Sequence, residues 1–384
     1  MPPRLPQELA EMVIDELGRD YQRPALAACS LTCRAWLHRC RIHIHAAVRL
    51  DPNSHLDNLS KLYDGPLAQY VRSLSIDACV EGEPRPHQWL NTVRPLLERL
   101  KRIRRLALDA IVWEHLEEAT RRIFLTNYED VRDIWLATCD FYDPASFVRF
   151  LQVFRRAESI RMEGVGCDPV DCEEALKENG EELHLRCLDV GDLCSAPSIV
   201  AQWAWYGRRE LSLEDVHITW GSEDPIHLSR MLQLAGSSVK KLSITMDDHV
   251  QRVRTTAGEL RGAVDLSQNT GIRVLRILLR LETSNYLEVS WIGDVLGQLF
   301  SQTLEQVTIF IELPSYELLD KLRFDLIDNA LADRHFPALQ RVDCSILRRY
   351  MLNQGLDPSA IGRVQKALPK LGDLKILTVS QDYS

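Results

Sequence analysis

No apolar run in these 384 residues approaches the ~20 needed for a bilayer-spanning helix, so no membrane partner is expected. The first residues lack the apolar core of a secretion signal, because Arg4, Glu8, Glu11 and Asp15 interrupt them. A cytoplasmic or nuclear protein is the expectation. Positive charge is the scarcer sign: 46 Lys and Arg stand against 55 Asp and Glu, a net charge of −9, which argues against general nucleic-acid binding. Residues 1–50 carry seven bases and five acids, so the acidic excess belongs to the remainder. There is no Gly-rich phosphate loop, no nucleophile elbow and no His-Glu-x-x-His, and Glu114-His115 and His184 stand alone. No enzyme and no cofactor are expected.

The ten cysteines, in a chain without a secretion signal, are expected to be reduced thiols and mostly small core residues. Cys29, Cys33, His38, Cys40, His43 and His45 lie close in sequence and invite a zinc reading. Thr32 is a plausible helix cap that would break the face aligning them, so no metal is expected. The spacings of Cys167, Cys172, Cys187 and Cys194 match no zinc pattern.

What is present begins at Leu5-Pro6-Gln7-Glu8-Leu9. Pro6 suits a first helical turn, and Leu5, Leu9, Val13 and Leu17 share one helical face. Gly18 can stop that helix, Pro24 opens a second, and Thr32 precedes a third through Cys33-Arg34-Ala35-Trp36-Leu37 towards Ile44. Three short helices cannot bury a large core alone, so the piece must complete itself on a partner or on the next domain of the chain.

The pattern Leu5-Pro6-x-Glu8-Leu9, Val13-Ile14, Leu17 and Cys29-Ser30-Leu31-Thr32-Cys33-Arg34-Ala35-Trp36 resembles the F-box of mushroom-forming fungi. Ile42-His43-Ile44-His45 departs from it where that family usually carries an aromatic residue. The resemblance implies docking on a Skp-type adaptor, and through it on a cullin, by Leu5, Pro6, Leu9, Leu31 and Trp36. It implies a substrate-receptor subunit of a ubiquitin ligase. The alternative is a repeat-based interaction scaffold outside any ligase.

Beyond the polar connector 51–70, one phrase returns: apolar, two residues, apolar, one residue, apolar. Val71-Arg72-Ser73-Leu74-Ser75-Ile76 and Ile103-Arg104-Arg105-Leu106-Ala107-Leu108 are clear copies. The central residues are Leu74, Leu106, Ile134, Ile160, Leu188, Leu211, Leu242, Leu275, Val307, Val342 and Leu377, a loose period near thirty. Alternation within the phrase predicts a strand, and the stretches between, such as 144–154, 222–234, 287–300 and 315–331, have helical spacing. One strand and one helix per period predicts a solenoid with parallel strands. The phrase resembles the strand half of leucine-rich repeats, without the Asn that usually comes after it.

The expected α/β architecture is therefore a three-helix F-box at 1–50, the connector 51–70, and a leucine-rich-repeat-like βα solenoid with a curved parallel sheet of about eleven strands over 71–384. Its central leucines should be buried, and the polar segments 81–87, 164–182 and 247–254 should be loops. The residues beside each inward pair point away from the helices and form the expected target-binding face. There Asp77, Asp109, Asp133, Glu163, Asp189, Glu210 and Glu214 outnumber Arg105 and Arg161, while later repeats carry Asp343 against Lys241, Arg276 and Arg341. Trp135, Leu278 and Phe310 add apolar anchors. Asp109, Asp133, Trp135, Glu163, Arg276 and Phe310 are the candidate target contacts. Other tryptophans, such as Trp89 and Trp113, are expected in the core.

Overall fold

The computed structural model describes residues 6–20, 22–80, 83–84, 88–167, 185–191, 194, 199–200, 212–220, 225–247, 265–280, 290–313, 315–332, 336–348 and 358–383. Two compact units result, Met1–Ala157 with Val165–Asp168, and Glu158–Gly164 with Pro169–Ser384.

The first unit opens with α1 (Gln7–Arg19), α2 (Arg23–Thr32) and α3 (Arg34–Ile44). Ile14, Leu26 and Cys40 form their core, with Leu17, Cys29, Trp36 and Ile44 packed against it. Cys29 and Cys40 thus serve as small apolar groups. Among the described residues no group of His, Cys, Asp or Glu is placed to hold a metal. No helix there is long and apolar enough to cross a membrane.

Four strands come next, all parallel: β1 (Ala47–Leu50), β2 (Ser73–Asp77), β3 (Arg105–Asp109) and β4 (Asp133–Ala137). The phrase did not predict β1. Its central residue is Val48, which pairs with Leu74, but His45 stands where the phrase requires its first apolar residue. His45 instead packs edge-on against the Tyr63 ring, at 5.8 Å between centroids. Each strand start repeats one hydrogen-bond pattern. The Ala46 carbonyl accepts from the N–H groups of Arg72 and Ser73, that of Arg72 from Arg104 and Arg105, and that of Arg104 from Arg132 and Asp133.

Behind this sheet lie α4 (Leu56–Leu62), α5 (Gln88–Thr92), α6 (Arg94–Arg99), α7 (Glu118–Thr126) and α8 (Pro144–Val153). The Asp143 carboxylate accepts from the Ala145 and Ser146 N–H groups and starts α8, with Pro144 in its first turn. Trp113 stacks on Phe141 and meets Phe124 and Phe150 in an aromatic core. Short pairings join Cys79–Val80 to Glu83–Pro84 and Asp140–Phe141 to Gly166–Cys167, so that Glu83–Pro84 and Gly166–Cys167 form strands inside segments read as loops.

The chain leaves β3 and β4 through Ala110 (φ 56°) and Thr138 (φ 47°), both in the left-handed region that costs an L-residue about 1 kcal/mol. Thr138 gains from the bend: its hydroxyl donates to Asp109 and accepts from the Ala110 N–H. Ala110 has no such return. Ala110→Gly is expected to raise stability by about 0.5 kcal/mol, the relieved strain exceeding the added chain entropy. Urea unfolding checks it, and a loss of stability refutes the strain.

The second unit carries eight further strands, each parallel to the next: β5 (Ser159–Glu163), β6 (Cys187–Val190), β7 (Asp215–Trp220), β8 (Lys241–Asp247), β9 (Val274–Arg280), β10 (Gln306–Leu313), β11 (Arg341–Arg348) and β12 (Leu377–Tyr383). Helices lie between several of them: α9 (Pro225–Ala235), α10 (Ser290–Gln298), α11 (Phe324–Ala332), α12 (Pro358–Ala367) and α13 (Pro369–Asp373).

Two expectations need correction. The sixth repeat centres on Val216 rather than Leu211, because Val216 pairs with Leu188 and Leu242. Leu213-Glu214-Asp215-Val216-His217-Ile218 is a faithful copy of the phrase, and the slip put Glu210 and Glu214 at strand-face positions that belong to Asp215 and Thr219. Leu74, Leu106, Leu242 and Leu275 are buried, but Leu377 is only half-buried, since β12 has a strand neighbour on one side alone.

The missing carboxamide after the strand has a counterpart before it. The buried Asn269 side chain donates to the Leu232 and Gly236 carbonyls, and Ser301 donates to those of Thr270 and Ile272. These bonds tie each helix-to-strand turn to the turn before it.

Candidate functional site

The three-helix module turns two apolar surfaces in opposite senses. Ala10, Ile14 and Leu17 of α1 face its core. Leu9, Met12 and Val13 are 47%, 66% and 53% exposed, and Leu31 of α2 is 87% exposed. Positions 9, 12 and 13 are helical neighbours, and Pro6, one turn earlier, is also exposed. Trp36 is half-buried against the core cluster, so its ring supports the module from within. Leu5 lies outside the described residues. Met12 joins Pro6, Leu9 and Val13 on this exposed side of α1, and of these it alone was not singled out by the sequence pattern.

A polar lock sets the helix angles behind this patch. The Arg39 guanidinium of α3 donates through two nitrogens to both Asp15 oxygens, and His43 Nε2 lies 2.9 Å from Asp15 Oδ1. The Arg39 hydrogen bond holds the Asp15 carboxyl well below the usual carboxylate range, against the opposing effect of burial, with His43 assisting. A depressed carboxylate adds stability that is complete above its unfolded value near pH 4 and is lost as pH falls through the folded value. Asp15→Asn is therefore expected to cost about 1 kcal/mol, after discounting for solvent screening, from pH 5 to 8. The difference from the parent should shrink only below about pH 4. Unfolding curves over that range check it, and a difference that vanished already at pH 5 would contradict the lock.

The strand face of the first unit presents Trp135 at 38% exposure, in one row with Ser75 and Ala107. Asp133 receives a hydrogen bond from Arg105 at 3.1 Å, and Asp109 one from Thr138 at 2.6 Å. In the second unit Glu163 and Arg276 are exposed, and Phe310 is half-buried beside Leu278.

The acidic surplus expected early in the repeats is largely cancelled in place. Arg49 pairs with Asp77, Arg105 with Asp133, Arg161 with Asp189, and both Arg186 and Lys240 with Glu214. Arg49 lies on β1, which the phrase did not predict, and Arg186 and Lys240 precede their strands, so none of the three was among the face residues expected from the sequence.

One polar chain crosses four strands. Arg161 donates to Asp189 at 2.9 Å, His217 Nδ1 lies 3.1 Å from the other Asp189 oxygen, and His217 Nε2 lies 3.1 Å from Thr245 Oγ1. Burial pushes the Asp189 carboxyl up but is outweighed by the His217 hydrogen bond and the His217 and Arg161 charges, so it lies below the ordinary range. The order acid, imidazole, hydroxyl is that of a nucleophilic triad. Thr245, however, is only 3% exposed, and its hydroxyl offers a substrate no approach. The chain neutralises the sheet face. Its signal in the sequence is an interval of 28 residues between successive partners.

No family model matches this chain, and no curated protein matches it. The similar solved structures include these three. The yeast Rad7 and Elc1 complex matches at 13% identity and TM-score 0.39, over 98% of this chain and 93% of that chain. The leucine-rich repeat-containing protein LegL7 from Legionella pneumophila matches at 13% identity and TM-score 0.41, over 88% and 91%. A Bacteroides fragilis protein matches at 10% identity and TM-score 0.38, over 87% and 73%.

Proposed function

We propose that this chain is a substrate-receptor subunit of a Skp–cullin–F-box ubiquitin ligase. The helical module docks on a Skp-type adaptor, and through it on a cullin, and the repeats hold a target protein. Ubiquitin transfer is left to other subunits, so this chain contributes binding surfaces and no catalytic residue.

The observation that carries the reading is the exposure of Leu9, Met12 and Val13 on α1 and of Leu31 on α2, in a module whose own core is already filled by Ile14, Leu26 and Cys40. Large apolar side chains clustered at such exposure mark an interaction site. They stand on two of the three helices whose residues carry the F-box resemblance. An adaptor covering Leu9 and Leu31 would remove apolar area worth about 1.5–3 kcal/mol per fully buried leucine.

The test uses the whole chain, because cutting at residue 50 would delete β1 together with the helices. Leu9→Asp/Leu31→Asp places charges on exposed positions, so folding is expected to be kept. Capture of the Skp-type adaptor in affinity purification should fall at least tenfold. Equal capture by the double variant and the parent refutes the docking role.

A further inference from the structure

In the first unit the residue whose N–H bonds back to the preceding strand start is an arginine on three successive strands: Arg72, Arg104 and Arg132. The Arg104 N–H donates to the Arg72 carbonyl at 2.7 Å, and the Arg132 N–H to the Arg104 carbonyl at 2.8 Å. Strands lie about 4.8 Å apart, so the three guanidinium stems start within about 10 Å. Lys101 and Arg102 flank the same edge and are exposed, as is Arg104.

Like charges on neighbouring strands repel, and a fold with no other use for them would alternate the signs. In the second unit the equivalent Arg186, Glu214 and Lys240 alternate in sign and Glu214 pairs with both bases, at 3.1 and 3.4 Å, before Arg273 succeeds Lys240 with the same sign. In the first unit no carboxylate among the described residues pairs with Arg72, Arg102 or Arg104. The Arg72 guanidinium turns back to donate to the Gln69 and Val71 carbonyls. Burial lowers its pKa, and the charges of Arg102 and Arg104 lower it further, so these groups feel one another.

We infer that the strand-start edge formed by Arg72, Arg102 and Arg104 is a docking site for an acidic, carboxylate-rich segment of a protein partner. The exposed Arg102 and Arg104 guanidiniums can each clamp a carboxylate with two hydrogen bonds, and Arg72 adds its charge behind them. Reach decides the partner's chemistry. A net charge of −9 repels extended polyanions such as duplex nucleic acid or an anionic bilayer, whereas a short segment confined to about 10 Å is screened from the rest of the molecule. The inference deepens the reading of the repeats as a partner-binding surface and is independent of the adaptor-docking module.

The experiment titrates the full chain into fluorescein-labelled octaglutamate at low salt and follows anisotropy. Saturable binding that weakens as salt rises is expected. Arg102→Glu/Arg104→Glu should weaken it at least tenfold, while Arg102→Lys/Arg104→Lys retains most of it and Arg122→Glu, on an exposed helix position, leaves it unchanged. Arg104→Gln should weaken binding and also raise Tm by on the order of a degree, because it removes a like-charge neighbour. The inference is overturned if the parent does not bind octaglutamate, if the double reversal binds equally well, if oligothymidylate binds more tightly than the peptide, or if Arg104→Gln lowers Tm. Adaptor capture by the same double reversal, measured in parallel, should equal that of the parent, so failure at this edge is distinguishable from failure of the docking module.

Discussion

Leu275→Asp is expected to destabilise the second unit by about 4 kcal/mol or more. Leu275 is fully buried, and its strand lies between the neighbours that carry Leu242 and Val307. Loss of the leucine alone removes about 2–3 kcal/mol of apolar burial. A carboxyl group there has no partner and lowers its cost by binding a proton, which caps the electrostatic penalty at the size of its pKa shift, about 3–5 units. That shift is upward, so the penalty grows as pH rises from the unfolded value near 4 and eases as pH falls. Hydrogen exchange should show lost protection centred on β8, β9 and β10, because repeat arrays depend on nearest neighbours. Protection there equal to that of the parent would mean that the central residues of the phrase are not the core.

Gly18→Ala should destabilise the helical module by about 1–2 kcal/mol, although helix propensity alone predicts a gain of about 1 kcal/mol. The sign decides between the two effects. A Cβ on Gly18 would lie 2.2 Å from His43 Nδ1 and 2.4 Å from its Cγ, so the imidazole must move. Moving it costs the contact with Asp15. Gly18 thus lets α1 and α3 approach with the His43 ring between them. Adding His43→Ala to Gly18→Ala should recover part of the loss, a coupling that a double-mutant cycle reads directly. A Tm that rises on Gly18→Ala would show that the ring gives way freely.

The sequence by itself determined the secondary structure of the repeats and which residues face inward. A phrase of alternating apolar residues succeeded by a helical stretch permits little besides a strand and its crossover, and Leu74, Leu106, Leu242 and Leu275 are buried accordingly. Local signals such as Asp143-Pro144 set helix starts for the same reason: the cap and its N–H partners lie within a few residues. Tertiary structure decided the rest. Val216 is central to its strand because it aligns with Leu188 and Leu242, whereas the sequence offered Leu211 and Leu213 as apolar rivals close by. Leu9, Val13 and Leu17 share one helical face in sequence, yet the fold buries Ile14 and leaves Leu9 and Val13 in solvent, because α1 meets α2 and α3 along one side only. Charge needed the fold most. Arg49 and Asp77, or Arg161 and Asp189, are a full repeat apart in the chain and in contact across adjacent strands, whereas Arg72 and Arg104, similarly separated, face each other with the same sign. Electrostatic energy depends on distance in space, and a parallel sheet makes neighbours of residues that composition and local pattern leave apart.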